Sequence, residues 1–184
     1  MKLYLLRHGK ADWPNWDQPD DERPLTEEGK KEVAAVAKLL ERFDATTSAT
    51  GKLDPAARAA LFSDDAIFLN AWGGRVERRQ AIDSAWRRLY RSTTFDSSRI
   101  ELLDRRQRVL APGLVLVDHL ECLTGQRGPN SGREMPPRAT HITLLLKQGA
   151  TAEWRIVYYR AGDLREFAQR EPACERMRKL SKTW

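Results

Sequence analysis

A histidine and a carboxylate lie two residues apart in the segment LVLVDHLECL, at His119 and Glu121. Residues two apart in a β-strand share a face, and the same face here carries Val115, Val117 and Leu123. A histidine and a carboxylate on an otherwise apolar face fit a general base with its orienting partner, so we predict that they are catalytic. The structural alternative is a polar cross-strand pair facing solvent, and the sequence leaves both open.

Four further residues extend this candidate site, because they close or lie on neighbouring segments of strand-like sequence. We expect them to line a pocket together with the pair: Asn70, Trp72, His141 and Tyr158. Asn70 can donate or accept a hydrogen bond but cannot take a proton. Two of the four have a structural alternative, which is core filling for Trp72 and an ordinary hydrogen bond within the sheet for His141.

A second candidate site stands at the start of the chain, where the apolar run LYLL ends in Arg7 and His8. This pair would lie at the carboxyl end of a buried strand, where α/β sheets tend to bind ligands. A nucleophilic histidine beside a guanidinium is what phosphoryl transfer requires. Arg7 and His8 are therefore the phosphate-binding residues of an alternative interpretation.

The elements that must position these residues follow from periodicity and turn chemistry. Residues 2–7 form a predicted strand, and Thr26 caps an amphipathic helix over about residues 27–43. A short helix begins at Asp54 and Pro55 and is expected to carry Leu61 and Phe62 on its buried side, and a strand begins at Ala66. A third helix covers RRQAIDSAWRRLY, and the rest is four long strands: SRIELLDRRQRVL, GLVLVDHLECLTG, ATHITLLLK and EWRIVYYRAG. This order predicts an α+β fold, with helices packed on one face of a curved antiparallel sheet.

Composition limits the function classes. The 184 residues, 41% hydrophobic, suffice for one well-buried core, and the net charge of +6 is spread among interleaved acids, so nucleic-acid binding is not expected. We expect no membrane span and no secretory signal. Cys122 and Cys174 match neither a metal-ligand spacing nor a disulfide scaffold, so we predict plain thiols of a cytoplasmic protein. We find no metal-ligand cluster and no nucleotide loop, and therefore predict no cofactor.

The segments KLYLLRHGKADW and DDERPLTEEGKKE resemble the histidine phosphatase superfamily, in particular its phosphohistidine phosphatase branch, over residues 1–38. The resemblance implies that His8 is the phosphorylated nucleophile and that Arg7 holds the phosphoryl oxygens. The later motifs of that family are not matched, because Ser48 and Arg58 lack the expected context and no later histidine follows a glycine. Since clustered catalytic groups act as a unit, we expect no phosphatase activity.

Residues 33–163 resemble a SnoaL-like protein of the nuclear transport factor two superfamily, close to the SgcJ/EcaC group. The resemblance rests on four segments: ERFDATTSATGKLDPAARAALFSDDAIFLNAWGGRVERRQAIDSAW, LVLVDHLECLTGQRG, THITLLLK and WRIVYYRAGD. It implies a cystatin-like cone with an apolar cavity, here with an extra N-terminal strand and loop. Isomerases of this superfamily carry an aspartate base at the position of Asn70. We interpret the chain as a chimera with three parts: a phosphatase-like segment (1–25), a cone domain (26–163) and a charged tail (164–184).

The second resemblance implies a domain that binds a small apolar or polyketide-like ligand, with cofactor-free acid/base chemistry at His119 and Glu121 if the protein is an enzyme. A non-enzymatic module for ligand binding or dimerisation is one alternative. A phosphohydrolase that uses His8 is the other. Cone domains of this type often pair through the outer face of the sheet, so we expect a homodimer.

Overall fold

In a computed structural model, residues 4–6, 26–47, 53–71, 73–91, 93–128, 130–163 and 178 are described. Within them the chain forms a strand, two helices, two strands, a helix and four long strands. The bounds are β1 (Tyr4–Leu6), α1 (Glu27–Ala45), α2 (Pro55–Ala59), β2 (Phe62–Leu69), β3 (Arg75–Glu77), α3 (Arg79–Tyr90), β4 (Arg99–Ala111), β5 (Leu114–Thr124), β6 (Arg138–Gln148) and β7 (Trp154–Asp163).

The strands form one sheet in the order β1-β4-β5-β6-β7-β2-β3. Four neighbouring pairs are antiparallel, but β1 pairs with β4 and β2 pairs with β7 in parallel. The predicted α+β cone with an extra N-terminal strand is confirmed, and its sheet is mixed rather than wholly antiparallel. The reason is that β1 and β2 both precede helices, and each joins the sheet beside a strand of the later meander.

Local chemistry explains the ends of the first two helices. The Thr26 hydroxyl accepts a hydrogen bond from the Gly29 amide at 2.9 Å, and Asp54 accepts from the first amides of α2 at 3.0 Å. Both caps are as predicted. Leu61 and Phe62 are buried, but not on α2 as expected, because the helix ends at Ala59 and Phe62 opens β2.

The core lies between the helices and one side of the sheet, which we call the inner face. It consists of apolar side chains from α1, α3 and alternate positions of the long strands: Val36, Leu39, Leu40, Phe43, Ile82, Trp86, Val115, Val117, Ile142, Leu144, Leu146, Ile156 and Tyr159, with their neighbours from β2. The opposite side, the outer face, carries the intervening residues, most of which are partly exposed.

Cys122 is buried on β5 and is disulfide-bonded. The predicted plain thiol at Cys122 is therefore wrong, because its sulfur is covalently bonded to a second sulfur. The second cysteine of the sequence, Cys174, lies outside the described residues. Among the helices that are described, none is both long and apolar enough to span a membrane.

Candidate functional site

The alternation of β5 places His119 and Glu121 on the inner face, as the sequence pattern predicts. His119 is 3% exposed, and the Glu121 side chain is 14% exposed. The His119 Nε2 and Glu121 Oε2 atoms are 3.3 Å apart. The edge of the Phe43 ring meets the imidazole at a centroid distance of 5.9 Å. A histidine–carboxylate pair thus lies in a largely apolar setting beside the last turn of α1.

An arginine and an aspartate that the sequence analysis missed complete this arrangement. Arg105 lies opposite His119 in the β4–β5 register, and its Nη2 and Nε atoms lie 3.0 and 3.3 Å from His119 Nδ1. The same guanidinium makes a bidentate contact with Asp44, with Nη1 to Oδ2 at 2.9 Å. We call Asp44, Arg105, His119 and Glu121 the inner-face site.

The direction of these hydrogen bonds determines which ring nitrogen of His119 carries the proton. A guanidinium only donates, so His119 Nδ1 must accept the bonds from Arg105. The remaining ring proton is then on Nε2, and this nitrogen lies 3.3 Å from Oε2 of the Glu121 carboxylate. The sequence pattern suggests histidine as the base and the carboxylate as its orienting partner, but the structure favours the opposite roles. Glu121 has carboxylate oxygens that can accept a proton, and His119 orients this carboxylate.

Burial perturbs three other ionisable groups around Glu121. Burial raises the pKa of the Tyr159 phenol, and the negative charge of Glu121 raises it further. Burial also raises the pKa of Tyr90 and lowers the pKa of the Arg58 guanidinium. Both phenols are consequently neutral hydrogen-bond donors over the physiological pH range, and Tyr159 packs into an aromatic cluster with Phe68 at 5.0 Å.

Two buried polar atoms next to the inner-face site have no hydrogen-bond partner among the described residues. Thr140 lies opposite Glu121 in the β5–β6 register, is 5% exposed and leaves its Oγ1 unpaired. Gln107, two residues from Arg105 on β4, leaves its Nε2 unpaired. Such groups are costly to bury, so they mark places where a ligand or water could be held.

The structure does not bring His141 and Tyr158 to this site. His141 lies on the outer face, where its Nε2 is 3.3 Å from Asp118 Oδ1, which also accepts a bond from the Thr143 hydroxyl at 3.1 Å. Tyr158 follows a bulge in β7, where the register shifts between Leu145 and Leu146 of β6. The bulge turns Tyr159, and not Tyr158, to the inner face, which corrects the predicted lining.

Asn70 is also placed elsewhere than expected. Its Oδ1 accepts a bond from the Gly74 amide at 2.8 Å, and its backbone closes the same turn between β2 and β3. The side chain is therefore part of a turn and is not in contact with the inner-face site. Trp72, Arg7 and His8 lie outside the described residues.

A surface groove of about 1280 Å³ lies at the far end of the sheet, around the start of α1, the β4–β5 turn and the β6–β7 turn. Its charged lining mixes acids and bases, and it contains none of the predicted site residues. Among the described side chains, no group of three or more His, Cys, Asp or Glu is placed to hold a metal ion.

Comparison with known proteins shows likenesses of two kinds. A model of the histidine phosphatase superfamily (branch 1) matches residues 3–66, which is less than half of the chain. From residue 27 onward, the described part of that match includes α1, α2 and the first part of β2, which all contribute to the cone. No curated protein matches the sequence significantly.

Solved structures match the cone. An uncharacterised protein with a cystatin-like fold from Caulobacter vibrioides is 23% identical over 79% of this chain and 99% of that chain, with a TM-score of 0.63. A ketosteroid isomerase-like protein from Erwinia carotovora atroseptica is 17% identical (76% and 98% covered, TM-score 0.54). A hexachlorocyclohexane dehydrochlorinase of the LinA type from Novosphingobium barchaimii is 11% identical (74% and 89% covered, TM-score 0.61). The chain thus has the cystatin-like, nuclear transport factor two-like fold.

Proposed function

We propose that the inner face of the sheet binds a small, mostly apolar molecule and that Glu121 acts there as a general base without a cofactor. The observation that carries this proposal is the row of polar contacts in which Arg105 hydrogen-bonds to His119 Nδ1 and His119 Nε2 lies 3.3 Å from Glu121 Oε2. This arrangement positions the Glu121 carboxylate and leaves it an oxygen that can accept a proton. The Phe43 ring, which packs against the imidazole, contributes an apolar side to the site. A positioned carboxylate of this kind typically contributes about 10²- to 10⁴-fold to a proton transfer.

Each member of the inner-face site has a distinct task in this proposal. Asp44 neutralises Arg105, so that the buried guanidinium does not hold a net charge. Arg105 hydrogen-bonds to His119 Nδ1, so that the ring proton is on Nε2, the nitrogen beside Glu121. Glu121 remains as the base, and the unpaired Thr140 hydroxyl across the strands offers a bond to the reacting molecule.

Two named structural neighbours are consistent with this chemistry. Removal of hydrogen chloride by a dehydrochlorinase and isomerisation of a ketosteroid both move a proton from carbon, which requires a base. These likenesses are below 25% identity, so they support the type of site that the fold accommodates and not a substrate for this chain.

The test is base-catalysed opening of 5-nitrobenzisoxazole, a neutral carbon acid. The base removes the ring C–H proton, the C–H electron pair forms the nitrile, and the N–O bond breaks to release a cyanonitrophenolate. We expect the rate above buffer to fall by about 10²-fold or more in Glu121→Gln. Asp118→Asn, the matched carboxylate change on the outer face, should keep the wild-type rate.

A rate that is equal in the wild type and in Glu121→Gln would contradict the assigned base. A wild-type rate no higher than that of buffer would favour the non-enzymatic module for ligand binding or dimerisation. In that case the inner-face site would only position a ligand.

A second candidate function, phosphohydrolysis with His8 as nucleophile and Arg7 as phosphate clamp, is favoured by the family match over residues 3–66. Against it, Arg58 is buried against Phe43 and two threonines of the cone. Hydrolysis of p-nitrophenyl phosphate and of a phosphohistidine peptide, measured beside His8→Ala, tests this candidate. Activity that is lost with His8 would establish it, and equal background rates would remove it.

A further inference from the structure

Arg58 is a buried cation whose partners are all neutral. It lies on α2 and is 6% exposed. Its Nε donates to the Thr46 hydroxyl, its Nη2 donates to the Thr47 hydroxyl at 2.9 Å, and its Cζ lies 3.6 Å from the centre of the Phe43 ring. A guanidinium has five N–H groups, so these two bonds leave three of them unused within the described part of the chain.

The contrast with Arg105 shows what Arg58 lacks. Arg105 is equally buried, but Asp44 neutralises it through two bonds. Among the described residues, no carboxylate lies within 4.0 Å of the Arg58 guanidinium. Burying a charge without a counter-ion is costly, and burial accordingly lowers the pKa of Arg58. A bound anion would supply the missing counter-ion and so offset this cost.

The surroundings of Arg58 favour an anion with an aromatic or otherwise apolar body. The Trp86 ring centre is 6.0 Å from the Arg58 Cζ, and Trp86 packs edge-on against Phe62 at 5.3 Å. Phe68 and Tyr159 belong to the same aromatic cluster. An anion held by Arg58 would therefore have this cluster beside it, and Glu121 is near enough to act on the charge of Arg58.

We propose that Arg58 binds the carboxylate of a small monocarboxylate with an aryl or similarly apolar body. The inference rests on the proposed function, in that Glu121 would act on the body of the same ligand. A planar carboxylate matches the guanidinium fork in two parallel hydrogen bonds and supplies the one negative charge that Arg58 lacks. A phosphate monoester, with about −1.5 to −2 at pH 7, would bring excess charge into a buried site.

The experiment is calorimetric titration of the full chain with benzoate, with benzamide as a neutral molecule of the same shape and inorganic phosphate as the other anion. We expect benzoate to bind, and benzamide and phosphate to bind at least about 10-fold more weakly. In Arg58→Met the affinity for benzoate should fall about 10- to 100-fold, to that for benzamide. Arg58→Lys, which keeps the charge but lacks the fork, should lie between. Arg87→Met, an exposed arginine on α3, should keep the wild-type affinity.

Loss of fold is not expected to mimic this pattern, because replacing a buried charge that has no counter-ion by an apolar side chain should not lower the free energy of unfolding. Urea denaturation of Arg58→Met checks this point. Should Arg58→Met fail to fold, Thr140→Val provides the second variant, with loss of benzoate affinity expected and an unchanged affinity counting against the site.

Benzoate that fails to bind the wild type, that binds no better than benzamide, or that is outcompeted by phosphate would overturn the proposal. The proposed function fails separately. Benzoate binding that depends on Arg58, without a rate that depends on Glu121, would leave the anion site and remove the catalytic proposal. A rate that depends on Glu121, without benzoate binding, would leave the catalytic proposal and remove the anion site.

Discussion

The two faces of the sheet each carry a histidine–carboxylate pair with the same separation and opposite surroundings. His119 and Glu121 on the inner face are 3.3 Å apart with 4% and 14% of their side chains exposed. His141 and Asp118 on the outer face are also 3.3 Å apart, but 41% and 43% exposed. The residue types and the distance are thus no guide to function. The difference lies in burial and in the charges that face each pair.

This difference arises from neighbouring residues of one strand. Asp118 and His119 are adjacent on β5, so their side chains point to opposite faces. The outer carboxylate receives a hydroxyl bond from Thr143 and is open to water. The inner histidine accepts a hydrogen bond from the Arg105 guanidinium, whose charge is neutralised by Asp44. Of the two pairs, only the inner one has its histidine tautomer fixed by hydrogen bonds from a buried guanidinium.

The largest effect that separates the two faces is expected from Asp44→Asn. This change leaves the buried Arg105 guanidinium without its counter-ion and should lower the free energy of unfolding by about 3 kcal/mol. Urea denaturation measures it. Asp83→Asn, which breaks the exposed pair with Arg87 on α3, is the control, with an expected loss of about 0–1 kcal/mol. Equal losses would show that the inner network is not the more stabilising one.

A pH-dependent effect is expected from the inner-face tyrosine. The pKa of Tyr159 is raised above its ordinary value of 10.0 by burial, so the unfolded chain loses this proton first as pH rises. Its stabilising contribution is complete below pH 10 and declines above it, by about 1.4 kcal/mol per pH unit. Tyr159→Phe should reduce the slope of unfolding free energy against pH by that amount. Tyr158→Phe on the outer face is the matched control, and an equal change in both variants would contradict the assignment.

The smallest effect is expected from Asp118→Asn. The pair with His141 is half-exposed, so its removal should change the free energy of unfolding by no more than about 1 kcal/mol. Thermal or urea unfolding measures it. A loss as large as that of Asp44→Asn would mean that the outer face is covered in solution. Sedimentation velocity would then show whether the homodimer expected from the sequence covers it.

Local rules predicted much of this molecule. Alternation along β5 placed His119 and Glu121 on one face, and Asp54 with Pro55 located the start of α2. The fold class followed from helices that precede long strands. These features depend on neighbours in the sequence, and a single chain contains that information.

The missed residues depend on contacts between distant segments. Arg105 stands in a run of charges, DRRQR, that is typical of a solvent-facing strand, and only the register with β5 places it beside His119. Arg58 in AARAA carries no sign of burial. Tyr158 was assigned to the wrong face because an alternating pattern contains no signal for the extra residue of a bulge.

The parallel pairing of β1 with β4 gives the start of the chain a role that is independent of any phosphatase chemistry. Tyr4, Leu5 and Leu6 lie in register with Arg106, Gln107 and Arg108, at what would otherwise be the open border of the sheet. A border strand with unpaired amides and carbonyls is a template on which another chain can add and aggregate. The strand that precedes the Arg-His-Gly motif thus covers the backbone of the strand that supplies Arg105, and this protection against aggregation does not depend on what the motif itself does.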